Sequence, residues 1–332
     1  MKTPGFCPEL ETRNSKLLSL MAVKITFLGT SAGVPTRARN VSAVALRLPQ
    51  RGEAWLFDCG EGTQQQLLRS DLNISQLTRV FITHLHGDHV YGLMGLLATC
   101  GMSGHASRID LYGPRGLEQY VSDVSRRTQL HTSYPLEVRT VEPGPVFEDD
   151  EYVVTCAPLK HRLPAFGFRV EEKDRPGHFD VERARAEGIP EGPLYGRLKR
   201  GERVTLPDGR TFEGVDFRGP DIRGRSVVYC TDTIYCRAAV ELSRGADLLI
   251  HEATFAEADE ALAQRSLHST TTMAARVARE AGVRQLVITH FSPRYFPGNR
   301  IEPQDLLREA RAVFPNTEMA HDFMPVEVPR RD

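Results

Sequence analysis

The sequence predicts a layered α/β protein, because short β-rich runs alternate with amphipathic helical patterns from residue 23 almost to the end. Composition agrees: 332 residues with 40% apolar and 26% charged content suit a globular chain able to bury a sizeable core. No apolar run approaches the roughly 20 residues that a membrane span needs, so neither a transmembrane helix nor a membrane partner is expected. The apolar stretch 17–23 flows into strand-like residues 24–28 rather than a cleavage site, which reads as a cytoplasmic protein.

Taken in order, residues 1–22 are polar and without period, and are expected to be a disordered extension preceding a domain over 23–328. Strands are expected at 23–28, 41–48, 54–58, 79–83 and 108–112, where β-branched and aromatic residues cluster between turn formers. Further strands are expected at 152–157, 166–171, 225–230, 246–250, 285–289 and 318–320 on the same grounds. Spaced apolar faces flanked by Gly or Pro predict helices at 64–70, 90–102, 116–129, 237–244, 270–281 and 303–314. Between 175 and 224 the chain turns rich in Gly, Pro and charge, which reads as an insertion protruding from the body or as a tolerated surface loop. Cys7, Cys59, Cys100, Cys156, Cys230 and Cys236 form no C-x-x-C pair and mostly sit in apolar context, as reduced buried thiols do.

The chemistry concentrates in Thr83-His84-Leu85-His86-Gly87-Asp88-His89, directly after a predicted strand. Crowding imidazoles and a carboxylate into one turn is costly unless a cation uses their lone pairs, and neutral His is the common zinc donor. Gly87 is expected to let the backbone turn so that these side chains converge. One turn supplies only part of a coordination sphere. Distant ligand types also end strands: His161 after 152–157, Asp232 after 226–231, and His290 after 286–289. In α/β folds the carboxyl ends of strands line the crevice where ligands bind.

With these residues in view, the H-x-H-x-D-H run resembles the signature of the metallo-β-lactamase superfamily. The segments 27–31, 57–64, 251–255 and 268–270 resemble the ribonuclease Z family within it, over roughly 23–328. That resemblance implies a four-layer αββα sandwich with metals at one edge and two Zn2+ per subunit, or Mn2+ in their place. It places one ion on His84, His86, His161 and Asp232, and the other on Asp88, His89, Asp232 and His290. It further implies that Asp88 orients and deprotonates the attacking water, and that His268, aimed by Glu252, protonates the leaving 3′-oxygen.

By the same resemblance the substrate is precursor tRNA, cut to leave a 3′-hydroxyl on the tRNA and a 5′-phosphate on the trailer, and the enzyme is a homodimer. The helices near 63–70 and 90–102 become candidate dimer surfaces. The insertion 175–224 becomes a flexible tRNA-binding arm, whose Arg197, Lys199, Arg200 and Arg203 outweigh Glu202 in a chain of net charge −1. The loop residues Arg37, Arg39 and Asn40 resemble the family's P-x-K-x-R-N motif, with Arg at the Lys position. Ser269 and Thr270, at a helix start, are expected either to receive a phosphate or simply to cap the helix. Two alternatives remain: a small-molecule phosphodiesterase or arylsulfatase of the same fold, and a catalytically silent RNA-binding protein.

Overall fold

The computed structural model describes residues 22–104 and 108–330. The extension expected over 1–22 therefore lies outside the described residues, apart from Ala22, and so does Cys7. The first strands are β1 (Val23–Gly29), β2 (Ala43–Leu48), β3 (Glu53–Phe57), β4 (Leu77–Phe81), β5 (Ile109–Gly113) and β6 (Leu136–Thr140). Then come β7 (Gly144–Glu148), β8 (Tyr152–Leu159), β9 (Ala165–Glu172), the short pair β10 (Arg203–Thr205) and β11 (Thr211–Glu213), and β12 (Ser226–Cys230). The chain closes with β13 (Leu248–Glu252), β14 (Gln285–Thr289), β15 (Thr317–Met319) and β16 (Pro325–Val328). They build two seven-stranded sheets, ordered β16-β1-β2-β3-β4-β5-β6 and β15-β14-β13-β12-β9-β8-β7.

Side-chain alternation along each strand explains why the sheets stack. On β1–β4, Ile25, Phe27, Val44, Leu46, Trp55, Phe57 and Phe81 point to one face, while Leu28, Ala43, Ala45, Leu56 and Val80 point to the other. The first set meets Phe168, Val227, Tyr229, Leu248, Ile250 and Val287 from the second sheet in a shared central core. Each fully buried Phe or Leu there stabilises the fold by about 1.5–3 kcal/mol relative to exposure. The outer faces are covered by helices. Leu93–Ser103 and Leu117–Thr128 cover the first sheet, and Arg237–Leu242, Thr271–Ala281 and Pro303–Val313 cover the second. The result is the expected αββα sandwich of four layers.

Strand directions bring the functional positions to one edge. Strands β3, β4 and β5 run parallel, as do β12, β13 and β14. Strand β8 is antiparallel to β9, which is antiparallel to β12, so β8 ends on the same edge as β12.

Several expectations are corrected. The helix expected over 90–102 is two, Gly87–Val90 and Leu93–Ser103. They are separated where Gly92 packs so closely on the Cys59–Gly60 backbone that a Cβ would meet the Gly60 carbonyl oxygen at 2.0 Å. Gly87 is not in the left-handed region; a side chain there would meet the Tyr91 ring, which would have to turn aside. The segment 175–224 is not a structureless loop. Its helices Val181–Ala186 and Pro193–Lys199, with the β10–β11 hairpin, enclose a small core of Phe179, Ala184, Ile189, Leu198, Val204, Leu206 and Phe217. Isolated bridges Arg175–Ile222 and Phe179–Arg218 join its two ends. Among the described residues Cys59, Cys100, Cys156, Cys230 and Cys236 are all free thiols. No helix among these residues is long and apolar enough to cross a membrane.

Candidate metal centre

Each donor-type side chain follows the end of a strand. Three of these positions use a left-handed backbone: Asp58 after β3 (φ 57°), Asp232 after β12 (φ 50°) and His290 after β14 (φ 60°). Asp and His are among the few non-glycine residues that tolerate this region, and it turns each side chain sharply out of its strand. After β4, His84 and His86 precede a one-turn helix, Gly87–Val90, that presents Asp88 and His89.

These residues converge. His84, His86, His161 and Asp232 form one group of four donors, and Asp88, His89, Asp232 and His290 form a second. In the first, His84 Nε2 lies 3.0 Å from His86 Nδ1 and 3.4 Å from Asp232 Oδ2, and His161 Nε2 lies 3.2 Å from His86 Nδ1. In the second, His89 Nε2 is 3.1 Å from Asp232 Oδ1 and 3.4 Å from Asp88 Oδ2, and His290 Nε2 stands 3.2 Å and 3.4 Å from the same two oxygens. A tetrahedral ion with ligands at about 2.0–2.1 Å has donor edges of about 3.3–3.4 Å, which matches these separations. Asp232 gives one oxygen to each group.

The donor chemistry fits cations as well as the distances do. His89 Nε2 is fully buried, approaches Asp232, and still has no hydrogen bond of acceptable geometry. Burial pushes the His89 pKa down, but Asp232, Asp58 and Asp88 outweigh it and hold it well above the ordinary value, so the pocket attracts positive charge. Burial lowers His161 to about 4, leaving it a neutral donor at pH 7. Burial likewise lowers His86. Burial would raise Asp88, yet His89 and His290 hold its carboxyl well below the usual range.

A second ring of contacts fixes the imidazoles, as metal-ligating histidines require. His89 Nδ1 donates to Asp58 Oδ2 (2.8 Å), His161 Nδ1 to the Leu267 carbonyl (3.1 Å), and His290 Nδ1 pairs with Thr254 Oγ1 (2.9 Å). Asp58 is itself held by the Thr83 amide and hydroxyl and by Tyr229 Oη from the opposite sheet. Sequence reasoning missed Asp58, Thr83, Thr254 and Tyr229 as supporting residues. Asp58, Thr83 and Thr254 lay within the segments 57–64, 83–89 and 251–255 noted above, but without a role, and nothing pointed to Tyr229.

Beside this cluster, His268 Nδ1 lies 2.8 Å from Glu252 Oε1, and its Nε2 faces Asp232 Oδ2 at 4.0 Å. Burial lowers the His268 pKa, but the Glu252 carboxylate and its hydrogen bond prevail and push it up to about 9. Glu252 is fully buried. It accepts hydrogen bonds from the amides of Thr233, Thr254 and Ser269 and from Thr254 Oγ1 as well, so it serves as a fixed anchor and does not face solvent.

Comparison with known proteins decides the family. The chain is 65% identical to ribonuclease Z of Acaryochloris marina over 309 residues, which cover 93% of this chain and 98% of that one. The chain belongs to the ribonuclease Z family. Ribonuclease Z of a Nostoc species is 64% identical over 93% of this chain and 96% of its own length. The crystal structure of human tRNase Z, short form, superposes with a TM-score of 0.62 at 32% identity, covering 92% of this chain and 99% of that one. The β-lactamase superfamily domain model matches residues 204–291, and that of the anti-Pycsar protein Apyc1 matches 23–162.

Around the cluster, several residues expected to contact substrate also make contacts within the chain. Arg39 turns inward: its guanidinium donates to Thr30 Oγ1 and the Ala320 carbonyl and lies 4.8 Å over the Phe291 ring. Asn40 donates its side-chain amide to the Glu61 carbonyl and its backbone amide to Asp322. Both residues close the loop, and only Arg37 is exposed. Ser269 and Thr270 are buried, with Ser269 Oγ donating to the Thr233 carbonyl and Thr270 Oγ1 capping helix Thr271–Ala281 through the Met273 amide. Thr270 is the helix cap, and Ser269 is tied to the Thr233 carbonyl instead. In the insertion, Arg197 and Arg200 both pair with Glu202, and Arg203 pairs with Glu213, which offsets much of the positive charge read from the sequence. Lys199 is exposed.

Proposed function

We propose that this chain is a zinc-dependent endoribonuclease that removes the 3′ trailer from precursor tRNA, leaving a 3′-hydroxyl on the tRNA and a 5′-phosphate on the trailer. The observation that carries this reading is the pair of four-donor groups sharing Asp232, set in a chain so similar to ribonuclease Z throughout its length.

The donor set suits two zinc ions, one per group, and would accept Mn2+ more weakly. When bound, such ions lower the pKa of water from about 15.7 to about 7 and neutralise charge on the phosphate oxygens. Around them the chain supplies orientation and proton transfer. Asp88, fixed by the Gly33 amide at 2.8 Å, orients the attacking water and takes its proton. His268, kept protonated by Glu252, gives a proton to the 3′-oxygen as its bond to phosphorus breaks. Glu252 is thus a positioning residue.

Selection of tRNA falls to parts away from the cluster. The insertion 175–224 serves as the tRNA-binding arm, with Arg197, Arg200 and Arg203 exchanging weak, exposed ion pairs for phosphate contacts and the exposed Lys199 adding a further charge. Arg37 contacts the RNA near the cleavage site. Homodimerisation is supported by Leu68 and Met102, 71% and 83% exposed on the helices expected to form that surface, with Tyr91, 67% exposed, in the turn just before Leu93–Ser103. Incubating the metal-loaded protein with a precursor tRNA and mapping the cleavage ends tests the reading; an intact precursor would refute it.

A further inference from the structure

Asp322 lies near the opposite end of the chain from the loop it holds. Its half-buried carboxylate accepts the Thr30 hydroxyl on Oδ1 (2.7 Å) and, on Oδ2, the Asn40 amide (2.7 Å) and the Gln66 side-chain amide (2.9 Å). Both feet of the loop 30–40 are thereby fastened to one side chain and, through Gln66, to helix Thr63–Arg69. The feet also close on each other, since the Thr30 and Ser31 amides donate to the Asn40 carbonyl (2.9 and 2.8 Å). None of the roles above uses this carboxylate.

From these feet the loop reaches the donor cluster by two hydrogen-bonded routes. On the first, the Thr30 carbonyl accepts the Phe291 amide and the Ala32 amide donates to the Phe291 carbonyl, each at 3.0 Å, and Phe291 directly follows His290. On the second, residues 31–34 form a tight turn, with Ser31 Oγ donating to the Val34 carbonyl (2.7 Å) and the Val34 amide to the Ala32 carbonyl (2.8 Å). That turn holds Gly33 at φ 73°, which glycine adopts without strain, and its amide donates to Asp88 Oδ2 (2.8 Å). The same Oδ2 stands 3.4 Å from His89 Nε2 and from His290 Nε2. Two donors of one group, Asp88 and His290, are thus reached from Asp322. Donors of the other group have different supports: Thr83 Oγ1 pairs with His84 Nδ1, and the Leu267 carbonyl with His161 Nδ1.

We infer that Asp322 is a positioning residue for the cation held by Asp88, His89, Asp232 and His290, acting through Thr30 and the Gly33 amide. The inference rests on the two-ion reading above and is independent of which RNA is cut. Contacts that orient metal ligands typically carry 10- to 100-fold in metal affinity or activity. Arg39 also bonds Thr30 Oγ1 and the Ala320 carbonyl, so the loop keeps an anchor when Asp322 is lost, and the low end, about 10-fold, is expected. The effect must be asymmetric between the two ions, because a general loosening of the fold would weaken both.

The test measures zinc affinity by competition with a chromophoric chelator for the parent, Thr30→Val, Thr30→Ser and Asp322→Ala, with thermal melting as the check on the fold. The parent must first bind two ions, which tests the two-ion reading separately. Thr30→Val, nearly isosteric but without the hydroxyl, should weaken one binding step by about 10-fold and leave the other within about 2-fold. Thr30→Ser should bind zinc as the parent does, and Asp322→Ala at least as weakly as Thr30→Val. Should Asp322→Ala fail to fold, the Thr30→Val and Thr30→Ser pair decides. The Thr30→Val effect should persist in a His161→Ala background, which keeps the Asp88 group, and vanish in a His290→Ala background, which does not. In the otherwise native chain, kcat of Thr30→Val should fall by a similar factor on bis(p-nitrophenyl) phosphate and on precursor tRNA, with KM for the tRNA little changed. Equal weakening of both binding steps, no weakening of either, an effect that persists in the His290→Ala background, or a loss confined to precursor tRNA would each overturn the proposal.

Discussion

Glu252 Oε1 accepts a hydrogen bond from His268 Nδ1 at 2.8 Å, and every other contact of Glu252 holds that carboxylate still. The pair is an aimed acid beside the metal cluster. Glu252→Gln is expected to lower kcat by about 10- to 100-fold, at or below the low end of the 10²–10⁴ that general acid–base catalysis supplies because the acid itself is retained, with KM and bound metal little changed. A substrate with sulfur in place of the leaving 3′-oxygen needs no proton, so His268→Ala should cleave it almost as fast as the parent. Equal losses on both substrates would remove His268 from that role.

Asp58 touches no candidate cation donor atom of a ligand group, yet its Oδ2 receives His89 Nδ1 at 2.8 Å. Asp58→Asn keeps the shape and weakens the charge that orients that imidazole. Metal affinity measured by competition with a chromophoric chelator should fall about 10- to 100-fold, with the fold retained by circular dichroism.

The insertion has its own small apolar core and is closed at its base by the Arg175–Ile222 bridge. Replacing 175–224 with a short linker should therefore leave the sandwich intact. Hydrolysis of bis(p-nitrophenyl) phosphate is expected to persist while cleavage of precursor tRNA collapses. A parallel fall in both, or no fall in either, would take substrate selection away from the insertion.

Flanking that insertion, Glu172 and Arg225 form a buried ion pair with 1% and 4% side-chain exposure, joined by Arg175 and Arg330. Burial would raise the Glu172 pKa, but the Arg225 hydrogen bond and charge prevail and hold it below the usual carboxylate value. A carboxylate whose folded pKa is depressed stabilises the fold above its unfolded pKa and loses that contribution as pH falls through the folded value. Glu172→Gln should thus unfold at lower denaturant at pH 7, by about 3 kcal/mol for a broken buried pair. The gap to the parent should narrow below about pH 4.5.

Much of this was legible in the sequence where local signals and tertiary roles coincide. Strand β14 stands at the residues expected from its apolar run, and His290 follows it. Strands β6 and β7 were not legible, because edge strands with mostly half-exposed residues carry no clear alternation. The helices of the insertion were hidden by their brevity, each burying a single side chain. Arg39, Asn40, Ser269 and Thr270 have structural contacts that the sequence did not show, because residue types that bind phosphate also close loops and cap helices. Only the packing against Asp322, Thr233 and Phe291 separates the two uses. Asp58 escaped notice because its partner His89 is fixed by tertiary pairing across the strand ends.

The central claim, that seven side chains gathered on Asp232 hold the metals that cut precursor tRNA, is tested most directly by mapping the cleavage ends made by the metal-loaded parent and by Asp232→Ala on one precursor. A 3′-hydroxyl on the tRNA and a 5′-phosphate on the trailer are expected from the parent, with Asp232→Ala losing both bound metal and cleavage. A 2′,3′-cyclic phosphate end, or cleavage undiminished in Asp232→Ala, would contradict the account.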